Sequence, residues 1–245
     1  MVDLPRNGRR WQAGGPARRR PHPDQVPGRW NDVRRFTVRL RPIGLLTVGG
    51  SHPELAGADI AFVTTSVDGR EVVYVPASSF KGALRSSASR VAERYGFRSC
   101  GQTSPELMQR AHAGSGTCDV CRLFGVPSRN PSQHLFFDDL LPDGSLTSRQ
   151  LITRVRINDR SMRAEDGGLY TSEAVYSGEF TGQVRYSEEV VELLPLLLLG
   201  LAELRMDRFG RRSSVDLRLE GTDQLRQDLG REWHPLLDAL EGWLW

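Results

Sequence analysis

Glu71-Val72-Val73-Tyr74-Val75-Pro76-Ala77-Ser78-Ser79-Phe80-Lys81-Gly82-Ala83-Leu84-Arg85 changes its periodicity halfway along. Residues 71–75 are β-branched or aromatic after the first, the composition of a strand. Pro76 has no amide to give a ladder and ends it. Ser78 and Ser79 are N-cap residue types. From Phe80 the apolar residues fall at Phe80, Ala83, Leu84, Ala88, Val91, Ala92 and Tyr95, the spacing of one buried helix face. Gly96 supplies a C-terminal stop. The stretch reads as strand, turn and helix.

Lys81, Arg85 and Ser89 lie four residues apart, off the apolar stripe. Lys81 is the only lysine among 33 lysines and arginines. An ammonium is a compact point charge and a guanidinium a planar fork, so the two are not equivalent at a phosphate. A helix start with two hydroxyls, free N–H groups and two cations attracts phosphate. The G-x-x-x-x-G-K-[ST] spacing of a P-loop is absent. The backbone of a single-stranded nucleic acid is therefore a better ligand than a nucleotide.

Outward from this unit, residues 36–40 alternate apolar and basic as a first strand, and Pro42-Ile43-Gly44-Leu45-Leu46-Thr47-Val48-Gly49-Gly50 runs into a glycine pair. Residues 51–66 read as a polar loop and 97–134 as an irregular insertion. Short strands follow at 135–141 and 152–157, the latter leading into a hairpin arm with its turn at Asp166-Gly167-Gly168. Residues 178–186 form another strand. Ser187-Glu188-Glu189 caps a leucine-rich helix in which Pro195 implies a kink or a true start near Leu194. A last strand covers 214–219, and residues 223–245 form an amphipathic, tryptophan-rich extension. The order predicts an α+β fold of ferredoxin-like (RRM-like) type, an antiparallel sheet with two helices, over residues 34–222. Sheets of this kind are common RNA platforms.

The length of 245 residues suits one large domain or two small ones. No apolar run reaches the roughly 18–20 residues of a membrane span, and no secretory signal follows the N-terminus. The net charge of +3 is uneven, because residues 1–30 hold seven arginines against two aspartates. With its prolines, segment 1–33 reads as a disordered Arg/Pro-rich tail. Three cysteines, two of them in Cys118-x-x-Cys121, fit a reducing compartment and a metal rather than a disulfide framework. The expected location is cytoplasmic. Cys100, His112, Cys118 and Cys121 offer a Cys₃His set for a structural Zn²⁺, with His134 the alternative fourth ligand. A redox pair is the competing reading of the two thiols.

Several segments together resemble the RAMP superfamily, specifically the backbone subunit of type III (Csm/Cmr-type) CRISPR effector complexes. They are residues 44–50, the 75–85 segment, Cys118-Asp119-Val120-Cys121-Arg122-Leu123-Phe124-Gly125, and Asn158-Asp159-Arg160 followed by Glu173-Ala174-Val175. The resemblance implies a ferredoxin-like core that polymerises head to tail along a CRISPR guide RNA. It also implies partnership with further effector subunits, and a target RNA cut at intervals by a loop aspartate with Mg²⁺ or another divalent metal. Asp59 stands in the corresponding loop, with Glu54 and Asp68 as rivals. A thumb-like hairpin over 156–180 places Arg156, Arg160 and Arg163 for phosphates. Ser78, Ser79, Lys81 and Arg85 complete the expected RNA contacts, with Arg211 and Arg212 in the last loop. That loop, Phe209-Gly210-Arg211-Arg212-Ser213-Ser214, keeps one glycine where the family is usually rich in them, and Ala77 stands where the family usually has glycine. Two alternatives stay open. One is a non-catalytic RAMP subunit. The other is a zinc-containing single-strand RNA-binding module outside CRISPR.

Overall fold

The computed structural model describes residues 34–49, 58–126, 134–144, 148–210 and 213–245. The expected tail, Glu54, Arg211 and Arg212 lie outside these residues. The described part belongs to one compact unit, Val33–Trp245.

The chain enters through β1 (Arg34–Ile43), whose alternation buries Phe36, Val38 and Leu40. A small hairpin follows, β2 (Thr64–Val67) and β3 (Arg70–Val73), closed by Asp68 at φ 49° and Gly69 at φ 75°. Part of the expected loop is thus paired strand, since threonine and serine at a solvent edge carry no apolar signal. Helix α1 (Ala77–Val91) begins one residue before Ser78. Pro76 occupies its N-cap, and neither serine caps it; the first helical amide, Ala77 N–H, donates instead to Asp139 Oδ1 at 2.7 Å. A 3₁₀ turn over Ala92–Tyr95 ends at Gly96, whose φ of 82° is the left-handed stop.

The insertion is more regular than expected. It contains α2 (Pro105–His112) and α3 (Asp119–Phe124). Next come β4 (Leu135–Phe137) and β5 (Leu141–Pro142), then a long hairpin of β6 (Arg149–Ile157) and β7 (Ala164–Val175). Its turn lies over residues 158–163, not at Asp166-Gly167-Gly168. Asn158 N–H donates to Arg163 O at 2.8 Å, and Asn158 Oδ1 accepts from the amides of Arg160 and Ser161, both at 3.0 Å. This is an asparagine-led turn, the local bonding that residue type favours. Strand β8 (Phe180–Tyr186) leads through a 3₁₀ segment (Glu188–Leu193) to α4 (Leu194–Met206), so the helix starts at Leu194 with Pro195 in its first turn. Strand β9 (Ser214–Glu220) and the helices α5 (Asp223–Asp228) and α6 (His234–Leu240) complete the chain.

Five strands make one antiparallel sheet in the order β4-β8-β1-β9, with β5 also beside β8. Helices α1 and α4 pack side by side against it, and their apolar faces share its core. Gly200 permits this approach, because a Cβ there would stand 2.9 Å from Ala88 Cβ. Phe80 fills the space beneath α1, edge-on to Phe137 at 5.7 Å and tilted to Phe209 at 6.4 Å. The result is a mixed α/β protein built on antiparallel sheets.

Candidate nucleic-acid interface and metal centre

A cleft of about 330 Å³ opens at the start of α1. It gathers Thr47, Val48 and Gly49 from the segment after β1, Ser78, Ser79, Gly82 and Ala83 from α1, and Phe209 and Gly210 from the turn before β9. Three stretches far apart in sequence thus meet at one helix N-terminus. Ser213 holds two of them together: its Oγ donates to Leu45 O at 2.5 Å and accepts from Thr47 N–H at 3.3 Å. Gly210 has φ +62°, and a Cβ on it would stand 2.5 Å from Thr47 O, so only glycine fits. Thr47 is buried, and among the described residues its Oγ1 has no hydrogen-bond partner. Such an orphan, lining a cleft at a helix start, suits a partner from outside the chain.

Sequence reasoning did not assign Thr47 or Gly82 to this surface. Gly82 is exposed, with open space where its Cβ would be. A glycine inside a helix costs about 1 kcal/mol against alanine, and that local penalty was the available signal. Ser78 and Ser79 are both exposed at the cleft. Lys81 is half-buried; burial, reinforced by the charge of Arg85, holds its ammonium below the ordinary lysine range.

Arg85 is turned away from this cleft. Its Nη1 donates to Gly125 O at 2.7 Å, and its Nη2 reaches Cys121 Sγ at 2.9 Å and Met108 Sδ at 3.3 Å. The expected phosphate contact is thus engaged with the insertion. A 3.6-residue period fixes which stripe a side chain leaves from, not which neighbour a long side chain reaches.

Asp59 is exposed, and its Oδ2 accepts from Thr171 N–H of β7 at 2.7 Å. Ile60 continues the contact, donating to Thr171 O at 3.1 Å and accepting from Glu173 N–H at 2.8 Å. Glu173 then accepts from Phe62 N–H through Oε2 at 3.0 Å and pairs with Arg149 through Oε1 at 3.1 Å. The end of the Asp59 loop is therefore zipped to the hairpin. Asp68, its rival, sits in the tight β2–β3 turn. Arg156, Arg160 and Arg163 are exposed on the hairpin near its turn, Arg156 lying 3.4 Å from Glu165.

Cys100, His112, Cys118 and Cys121 come together, with one ligand atom from each within 4.8 Å of all the others. Cys100 Sγ and Cys121 Sγ are 3.6 Å apart, close to the roughly 3.8 Å separating thiolates that each bind zinc at about 2.3 Å. Three of the four residues are buried. His112 Nε2 is buried without a hydrogen-bond partner among the described residues, a cost that a metal bond removes. A hydrogen bond from Cys121, helped by His112, pushes the Cys118 thiol down, while the same bond together with burial pushes Cys121 up. Arg98 ties the flanks together, its amide donating to Asp119 Oδ2 at 2.8 Å and its guanidinium to the carbonyls of Ser115 and Thr117. The set can hold a metal ion such as zinc. His134 is not part of it; its Nδ1 lies 2.8 Å from Glu189 Oε2 and 3.0 Å from Ser187 Oγ.

Among the described residues, no helix is long and apolar enough to cross a membrane. No curated protein matches the chain. The family model of the RAMP superfamily matches residues 39–216, from within β1 into β9. On that match over most of its length, the chain belongs to the RAMP superfamily, and with it to proteins of CRISPR-associated, RNA-binding role.

Proposed function

We propose that the protein is a backbone subunit of a type III CRISPR ribonucleoprotein, cytoplasmic, binding guide RNA along a head-to-tail filament with copies of itself and other effector subunits. The supporting observation is the cleft at the start of α1, where residues 47–49, residues 78, 79, 82 and 83, and residues 209–210 converge, with the orphan hydroxyl of Thr47 among them. Guide phosphates rest against Ser78 and Ser79, with Lys81 supplying charge two residues on. Arg211 and Arg212 border the same turn in sequence. Arg156, Arg160 and Arg163 take phosphates of the guide–target duplex along the hairpin. The core is read as ferredoxin-like: β1, α1, β4 with β5, β8, α4 and β9 follow one another, and the sheet order places β1 between β8 and β9.

Target cleavage is assigned to Asp59. A single exposed carboxylate fits a hydrated Mg²⁺, which binds through one or two carboxylates and keeps several waters. When bound, such an ion neutralises charge developing at the scissile phosphate. Asp59 would hold it through the carboxylate oxygen that the Thr171 amide does not engage. Alignment of the ribose 2′-hydroxyl is left to the RNA itself. The Cys₃His set takes a structural Zn²⁺.

The test is Asp59→Ala in the assembled complex. Guide RNA still copurifies and target binding is kept, while target cutting falls at least about 100-fold. Cutting at the wild-type rate overturns the catalytic assignment and leaves the non-catalytic RAMP subunit. Absence of repeat-derived RNA and sister subunits from the purified protein would favour an RNA-binding module outside CRISPR.

A further inference from the structure

Arg85 lies one helical turn beyond Lys81, yet it reaches the cysteine cluster. Three thiolates and one neutral imidazole around a divalent ion leave a single excess negative charge. Cys118, Cys121 and His112 are 6%, 1% and 5% exposed and Cys100 is half-buried, so water solvates that excess only in part. One guanidinium stands on it: Arg85 Nη2 is 2.9 Å from Cys121 Sγ, and Nη1 is anchored 2.7 Å from Gly125 O, just past α3. The second bond fixes the plane of the fork, so the first is directed rather than incidental. Charged N–H groups on a ligating sulfur orient the ligand and offset its charge.

We infer that Arg85 is the charge-compensating positioning residue of the Cys100–His112–Cys118–Cys121 centre, and not an RNA contact. The inference rests on the zinc reading above. It joins the insertion to α1 through one side chain, so that the metal centre and the helix presenting Lys81 share a strut.

The experiment measures zinc affinity of the full chain by competition with a chromophoric chelator, for wild type, Arg85→Gln and Arg85→Lys, each checked for fold by circular dichroism. Arg85→Gln, which keeps an N–H donor but loses the charge, weakens zinc by about 10- to 100-fold. Arg85→Lys recovers most of that loss. The salt dependence of guide RNA binding by zinc-loaded Arg85→Gln stays at the wild-type slope. Zinc affinity of Arg85→Gln within about twofold of wild type overturns the inference while leaving the metal reading intact, given the usual size of such effects. So does an equal loss in the lysine and glutamine variants, which marks shape rather than charge. A wild-type chain that takes up no zinc removes the metal reading itself, and is seen before any variant is made. If Arg85→Gln does not fold, Arg85→Met serves as the neutral member and is judged by the same comparison.

Discussion

Lys81 carries two opposed demands. Its ammonium is partly withdrawn from water and sits near the charge of Arg85, which together favour the neutral amine. The folded chain therefore releases this proton before the unfolded chain does. Its contribution to stability is least below the folded value and rises with pH up to the ordinary lysine value of 10.5. A phosphate contact needs the proton and is lost over the same rise. Lys81→Met should leave the melting temperature unchanged or raise it. It should also reduce the slope of log affinity for guide RNA against log salt by about 0.7, one single-strand phosphate contact. Salt titrations at neutral pH check this, and an unchanged slope removes Lys81 from the interface. A rule-breaking residue whose removal stabilises the fold is what a binding site leaves in a sequence.

At the scale of elements, the two helices of the insertion are held in different ways. Helix α3 buries Val120, Cys121, Leu123 and Phe124, and Phe124 stacks on Phe137 of the main core at 6.4 Å. Helix α2 buries only Met108 and His112. Stripping the metal with a chelator should raise amide hydrogen exchange in α2 and in residues 98–118, while α3 and the five-stranded sheet keep their protection; exchange mass spectrometry reads this directly. The same contrast explains what the sequence disclosed. Strands β1 and β9 and helix α1 were legible, because their burial alternates or repeats along the chain and leaves a period. Helix α2 had almost no apolar face to read, since a histidine does part of the work that leucine does elsewhere. Strand β3 was legible within residues 71–75, but its partner β2 was read as loop, because β2 buries little and the Asp68-Gly69 turn was given no weight. Of the site, the motifs were visible but their meeting was not: nothing in local sequence brings Gly210 against Thr47, or Asp59 onto Thr171.

Across the whole molecule, one buried carboxylate ties three other parts of the chain to its own strand. Asp216, fully buried on β9, accepts from Arg205 Nε of α4 and its neighbour Leu217 N–H through Oδ1, both at 2.9 Å. Its Oδ2 takes the amides of Leu244 at 2.9 Å and Trp245 at 3.0 Å, with Arg41 of β1 at 3.5 Å. Arg205 also donates to the carbonyls of Ala239 and Gly242, and Arg41 lies over the ring of Trp243 at 4.2 Å. Asp216→Ala would strand Arg205 without its counter-charge and should cost about 3–5 kcal/mol in urea unfolding. Arg205→Met with Asp216→Leu should recover much of that loss, since a well-packed apolar pair replaces a buried ion pair at little cost.

The sheet order has a further consequence, one of timing. Strand β1 sits between β8 and β9, and it finds both neighbours only in residues 180–220. On a ribosome adding about 5–20 residues per second, β1 waits on the order of ten seconds for either edge to be covered. Through that interval Phe36, Val38 and Leu40 have no sheet to enter. A nascent chain so arranged is exposed to wrong partners early, and its synthesis in quantity should depend more on a chaperone, or on slow growth in the cold, than its final packing would suggest.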